Sequence, residues 1–231
     1  MQKLYLLLGI LPTLYFAQYN DNLSYGVKIG GVHSTITNLP EMLLGREHQL
    51  SQFSLEEKGS FGVEGGVFLN YKFPDSRVAI QPEILYRKAG TEVHYNNDFS
   101  KENYKLSFNY QYLILGATYK FYPYDGINVG VGIHYNKNLS PNAIEYASNT
   151  TLGNIDTSYR QFYRDAIKGK DDFNLSFSLG YEFKEYLHLD LRYHLGVGDM
   201  MESKASSFQF VENTNRNSVI TLSLGYSFHT W

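Results

Sequence analysis

Three histidines, His134, His188 and His194, sit at even positions in segments whose odd positions are apolar. Imidazole is the commonest metal ligand, and His134 and His194 lie near the same end of their segments. A metal site would need them to converge with a carboxylate such as Asp199. A further segment separates the two, so polar filling of an interior is the simpler reading, and no metal is expected. An esterase needs a nucleophile and a base within hydrogen-bond reach. Ser and His are plentiful, but no spacing singles out a pair, and no outward-facing His stands in a strand middle. The glycines of GVGIHYN (130–136) alternate along a strand and do not form a phosphate loop. The chain has no cysteine, which excludes cysteine-ligated zinc. No catalytic residue and no cofactor is expected.

The charged residues need positioning by strands. Lys28, Glu64, Lys72, Glu83, Arg87, Lys120, Glu182, Asp190 and Arg192 all fall on the minority face of period-two segments. The other face of those segments is apolar: Leu23, Tyr25, Val27 and Ile29 in the first, Phe61 to Tyr71 in the second, Ile127 to Tyr135 in the fifth. The sixth runs Phe173 to Phe183, the seventh Leu187 to Leu195 and the eighth Ile220 to Phe228. A third strand starts near Val78 and a fourth spans roughly 104–121. Short connections at 74–77, 122–126 and 184–186 alternate with long ones at about 34–59, 94–103, 136–172 and 198–216. Short turns at one end and long loops at the other mark an outer-membrane barrel. The fold class is therefore all-β: an eight-stranded antiparallel up-and-down transmembrane barrel with short periplasmic turns and long extracellular loops.

Alternation alone does not say which face meets lipid. A soluble ligand-binding barrel would hold its charges outside and its greasy face inside. Here the apolar face carries almost no charge in the strand middles and has tyrosines near the strand ends, as an interfacial girdle does. The chain holds 21 Tyr and 15 Phe, yet its mean hydropathy is only -0.34. Lipid outside and a polar lumen inside fits both facts. A barrel of eight strands is barely wide enough for its own side chains, so the luminal charges should pair. If the 74–77 turn pairs Phe73 with Val78, Glu64 lies opposite Arg87.

Residues 1–17 read as a secretory signal peptide, with Lys3 before an apolar run from Leu4 to Phe16, and 18–231 as the barrel domain. The net charge of -3 carries no footprint for nucleic acid. The expected partners are outer membrane lipid, the outer membrane insertion machinery and a protein partner at the long loops.

Two segments break the simple pattern. In the fourth strand the apolar parity changes from Leu106, Phe108 and Tyr110 to Leu113, Leu115 and Ala117. A bulge near Tyr110 to Tyr112 would swap the faces; alternatively the upper half stands clear of the membrane. The parity change favours the bulge. In the third long loop, Tyr159, Phe162, Tyr163 and Ile167 fall at helical spacing, which predicts a short amphipathic helix on the rim and makes these residues the loop interaction candidates. LPEMLLG (39–45) is a second apolar loop patch.

IQPEILYRKAG (80–90) resembles the third-strand motif of the PorT-like outer-membrane β-barrel family of Gram-negative bacteria. YLILGATYKFYP (112–123) is similar to its fourth-strand motif, and KGKDDFNLSFSLGYEF (168–183) with LHLDLRYHLGVGDM (187–200) resembles its sixth and seventh strands. SLGYSF (223–228) looks like the closing strand. The chain departs from the family at Ile114 and Gly116, where Glu and Pro are frequent, and it continues past Phe228 to Trp231. The resemblance implies an outer membrane barrel of eight strands. It implies no catalytic residues and no single role: the name-giving member assists protein secretion. The function expected is a non-enzymatic barrel with a filled polar lumen and a structural or interaction role through its loops. The alternatives are an accessory of protein secretion or a narrow channel for small or apolar solutes.

Overall fold

Successive side chains of a strand leave opposite faces, so each alternating segment becomes one wall element with an inner and an outer side. The computed structural model describes residues 22–44, 53–97, 99, 101–149, 153–184, 186–203 and 214–228. The signal-peptide reading of 1–17 and the terminal Trp231 lie outside the described residues. In chain order the elements are β1 (Leu23–Ile36), α1 (Leu39–Leu44), β2 (Phe53–Lys72), β3 (Val78–Asn97), β4 (Glu102–Tyr124), β5 (Ile127–Asn138) and β6 (Ile144–Ser148). They continue with α2 (Gly153–Ala166), β7 (Ile167–Gly169), β8 (Asp172–Phe183), β9 (Leu187–Gly196), β10 (Met201–Ser203) and β11 (Asn217–Phe228).

Eight of the strands close a ring in the order β1, β2, β3, β4, β5, β8, β9, β11, with every neighbouring pair antiparallel. Closure leaves no sheet edge within the ring, which a lipid-embedded backbone requires. The three short turns each contain a residue in the left-handed region, Asp75 (φ 54), Gly126 (φ 80) and Lys184 (φ 48). Tight hairpins use such residues to match the twist of the strands. In the first turn the Phe73 amide donates to the Val78 carbonyl at 3.0 Å, and the resulting register sets Glu64 opposite Arg87.

The wall is not of even height. β2, β3 and β4 run to 20, 20 and 23 residues, whereas β5, β8 and β11 have 12 each. The upper parts of β2 to β4 therefore stand above their neighbours. β5 pairs with β4 only from Tyr112 downward, and β6 takes over the same edge at Tyr104 to Phe108. Segments read as loop in the sequence, including 53–59 and 94–97, belong to this tall wall.

The expected bulge at Tyr110 to Tyr112 is absent. β3 and β4 pair without interruption from Val78 opposite Phe121 to Asn97 opposite Glu102. Leu106, Phe108, Tyr110, Tyr112 and Ile114 all keep inward parity and are buried. The faces do not swap; the inner face itself turns apolar. The one interruption near this level lies instead in β2, between Gly59 and Val63. A Cβ on Gly62 would stand 1.8 Å from the Lys88 carbonyl oxygen, so this close approach of two backbones requires glycine. Pro82, which has no ladder donor, lies on the outer face near the start of β3, the tolerated place for it.

Candidate functional site

The outer surface is apolar around the ring. Val67, Ile84, Leu115, Val131, Phe177, Leu191 and Leu224 are all exposed. Aromatic residues collect at its two margins: Tyr181 with Phe183 and Tyr226 with Phe228 at the turn end, Tyr135 with Phe173 at the loop end. Phe173 and Phe183 bound β8, about 33 Å of strand or about 25 Å of height at a tilt near 40°. That is the height of a membrane band.

Inside this band lies an ionic network. Glu83 accepts from Lys28 Nζ at 2.9 Å, from Gln81 Nε2 at 3.1 Å and from His134 Nε2 at 2.8 Å, and it pairs with Arg192. Arg192 also donates to Asp190 at 3.0 Å. Arg87 donates through Nε to Glu64 at 2.7 Å and through Nη2 to His194 Nε2 at 2.9 Å. Nearer the turns, Glu182 accepts from Tyr122 OH at 2.6 Å and pairs with Lys72 at 3.2 Å and Lys120 at 3.5 Å. Lys72 is the half-exposed member at the mouth; the other charges of the network are buried. The ring order makes β3 and β9 diametrically opposite, so the Glu83–Arg192 and Arg87–His194 contacts cross the whole lumen. An eight-stranded ring is narrow enough for two long side chains to do this. The glycines of β5 leave no gap: a Cβ on Gly130 or Gly132 would meet Ser178 Oγ at 2.5 Å or Ser176 Oγ at 2.6 Å.

The histidines come together more closely than their strand separation suggests. His134 of β5 and His194 of β9, with only β8 between their strands, bring their rings 5.2 Å apart inside the lumen. Asp199 is not with them: it holds Lys170 at 2.8 Å and the Asn215 amide at 3.1 Å in the loop region. Among the described residues no group of three or more His, Asp and Glu is placed to hold a metal. His188 instead bonds Ser227 Oγ at 2.6 Å.

Above the network the interior changes character. Val93, Leu106, Phe108, Tyr110 and Ile114 from the tall wall meet Val32, Ile36 and Val219 from β1 and β11. Leu39 and Met42 of α1, Ile144 and Tyr146 of β6, Ala166, Ile167, Met200 and Met201 complete one apolar core. The loops thus fold back over the barrel. The predicted helix exists as α2 and ends at Ala166, one residue before Ile167, which begins β7 and is fully buried. Phe162 and Tyr163 pack against the core, and Tyr163 stacks on Tyr146 at 6.0 Å. Burial raises the Tyr163 hydroxyl above its ordinary value, so it stays uncharged near neutrality. Of the four loop candidates only Tyr159 stands exposed. The patch at 39–45 contributes α1, whose Leu39 and Met42 are buried.

A latch joins this cap to the barrel. Asp171 accepts from Tyr135 OH at 2.6 Å, Lys137 Nζ at 2.9 Å and the Asn138 amide at 2.9 Å. Partial burial pushes the Asp171 carboxyl up, but these three donors outweigh it and hold it below its usual value.

A closed antiparallel ring with an apolar exterior, aromatic margins and a charge-paired interior defines an integral membrane barrel of the outer membrane. The chain belongs to the outer membrane protein β-barrel domain family, which matches residues 16–202. No curated protein matches the sequence. Among solved structures, OprG of Pseudomonas aeruginosa is similar at 13% identity with a TM-score of 0.43, covering 89% of this chain and 96% of that one. Neisserial surface protein A gives 13% and 0.41 over 90% of this chain and 100% of its own. Ail, the attachment invasion locus protein of Yersinia pestis, gives 12% and 0.39 over 90% and 99%. These likenesses concern the fold alone.

Proposed function

We propose that the protein is a closed, non-enzymatic barrel that acts through its extracellular end, as a structural or interaction element of the outer membrane. The observation that carries this reading is the stacking of two seals: side chains bonded across the full lumen, and an apolar core directly above them. A conducting path would have to break both. The purified protein in a planar bilayer is expected to show no steady large conductance; a stable open level would overturn the reading. The channel alternative draws little support from β5, whose glycine spaces are taken by serine side chains.

The interaction role centres on the cap. Tyr159 with Arg160 forms an exposed or half-exposed face of α2, while Phe162 and Tyr163 support the fold beneath. Exchanging Tyr159 and Arg160 for Ala should leave the barrel folded and reduce capture of a protein partner from native membranes; unchanged capture would count against it. The finer reading, an accessory of protein secretion, is favoured by the ordered run of PorT-like strand motifs. A deletion strain with normal secretion would remove it.

A further inference from the structure

The tall wall has two sides. Its inner side carries the apolar core. Its outer side continues the lipid-facing surface of the barrel upward and changes character at Lys88. Below that level Ile80, Ile84 and Tyr86 of β3 and Leu113, Leu115 and Tyr119 of β4 are exposed and apolar. Above it the outward positions of β2, β3 and β4 from Lys58, Glu92 and Ser107 upward are polar. Glu56 stands opposite His94, His94 opposite Lys105, and Lys105 opposite Ala147, a small residue that leaves the end of the row open. One row lower Lys58 stands opposite Glu92, and one row higher Asn96 stands opposite Asn103. Glu56, Lys58, His94, Asn96, Lys105 and Ala147, beside the stacked Tyr95 and Tyr104, line a groove of about 430 Å³.

The shelf is built and accessible. Glu92 takes Lys105 at 3.1 Å and His94 at 3.1 Å, and Lys58 takes Glu56 at 3.1 Å. Side-chain exposure runs from 31% at Glu92 to 68% at Glu56. Cross-strand pairing holds donors and acceptors in rows about 5 Å apart on a stiff sheet. The apolar core packs behind the sheet, on its inner side.

Its place relative to the membrane identifies what meets it. From Lys88 to His94 the strand climbs about 20 Å, or about 15 Å in height at the usual tilt. On the lipid-facing side of an outer membrane protein, that level holds the saccharide headgroups of the outer-leaflet glycolipid. The surface is continuous with the established lipid interface, and its chemistry suits such a headgroup. Lys58, His94 and Lys105 offer donors to phosphate and carboxylate substituents, while Glu56, Glu92, Asn96 and Asn103 offer acceptors and amides to hydroxyls. We propose that the outer face of the β2–β3–β4–β6 extension is a seat for the saccharide headgroup of outer-leaflet glycolipid. The proposal rests on the outer membrane location and is independent of whether the lumen is sealed.

The test uses the full protein folded into phospholipid vesicles containing either full-core lipopolysaccharide or lipid A alone. Glycolipid retained per barrel after detergent extraction is measured. Full-core material is expected to be retained at least about tenfold better than lipid A, the equivalent of one charged hydrogen bond. A Lys58→Gln, His94→Gln, Lys105→Gln variant, verified as folded by its heat-modifiable gel migration, should fall to the lipid A level. Lys88→Gln should leave full-core retention unchanged. Equal retention of the two glycolipids by the unaltered protein, which needs no variant to fold, would overturn the proposal. So would a triple variant that retains full-core material as before, or a Lys88→Gln protein that loses it, since the contact would then be to a phosphate at the bilayer surface.

Discussion

On β1, β3 and β4 the lower and upper halves of the barrel interior are lined at the same parity, yet they are opposite materials. In β3, Glu83 and Arg87 enter the ionic network, and four and six residues beyond Arg87 the inward Thr91 and Val93 belong to the loop end, with Val93 in the apolar core. In β4, Lys120 is charged and Ile114 to Leu106 are not. The lower half is enclosed by lipid, and among the described residues no helix or loop reaches it, so side chains from opposite walls fill it and pair with one another. The upper half is open to its own loops, so it is filled as a soluble domain is, by apolar residues from α1, β6, α2 and β7. What fills an inward face depends on what can reach it.

The comparison breaks first in the lower half. Arg192→Met takes from Asp190 its hydrogen-bonded cation and leaves Glu83 with Lys28 alone of its two cations, and it is expected to lower stability by about 3–5 kcal/mol. Urea unfolding from vesicles measures it, and a loss under about 1 kcal/mol would mean the cross-lumen contacts are not holding the barrel together. Next comes the upper half. Phe108→Ala removes a fully buried ring and should cost about 3 kcal/mol, felt locally. Limited proteolysis should then cut within 139–170 while the barrel keeps its folded gel migration; loss of that migration would show that the halves are one cooperative unit.

Between the halves, Ser34 bonds both groups of Gly90, accepting from its amide at 2.8 Å and donating to its carbonyl at 2.7 Å. Ser34→Ala strands a buried amide and should cost about 1–2 kcal/mol, visible in both the urea and the proteolysis measurements. The smallest effect concerns the Asp171 latch. Its folded pKa lies below the unfolded one, so its contribution is present above the unfolded value near 4 and is lost as pH falls through the folded value. Protection of the Asn138 amide, relative to its intrinsic exchange rate, should therefore fall in acid, and Asp171→Asn should show that lowered protection at neutral pH. A protected Asn138 amide in that variant would dismiss the latch.

The strand fold was legible because the pattern repeats: eight segments alternate, and three short turns separate them in step with long loops. The Glu64–Arg87 pairing followed from one turn length. The wrong reading was the fourth strand. The apolar switch at Leu106, Phe108 and Tyr110 implies a change of face only if a polar lumen runs the whole height, and it does not. The clue lay in other strands. Val32 and Ile36 share the parity of Lys28, and Ala89 and Val93 share that of Arg87. Read together, inward positions on β1, β3 and β4 turn apolar at the loop end, which a bulge in one strand does not produce. The β2 irregularity carried only the Gly59 and Gly62 signal, too short to place. Nor could spacing show that the 53–59 and 94–97 segments pair above the barrel, because polar outward residues there read as loop.

Sequence alone determined the eight membrane strands, their parity apart from the upper fourth strand, the lipid-facing side and the outer membrane location, because these depend on a period of two and on the difference between oil and water. Only the tertiary structure decided which opposite walls meet, so that Arg192 reaches Glu83 and His134 stands beside His194. It also decided that the loops return to fill the upper barrel, leaving Phe162, Tyr163 and Ile167 turned inward and Tyr159 outside. Those outcomes depend on closure of the ring and on the unequal heights of its strands, which bring together residues far apart in the chain that no local pattern links.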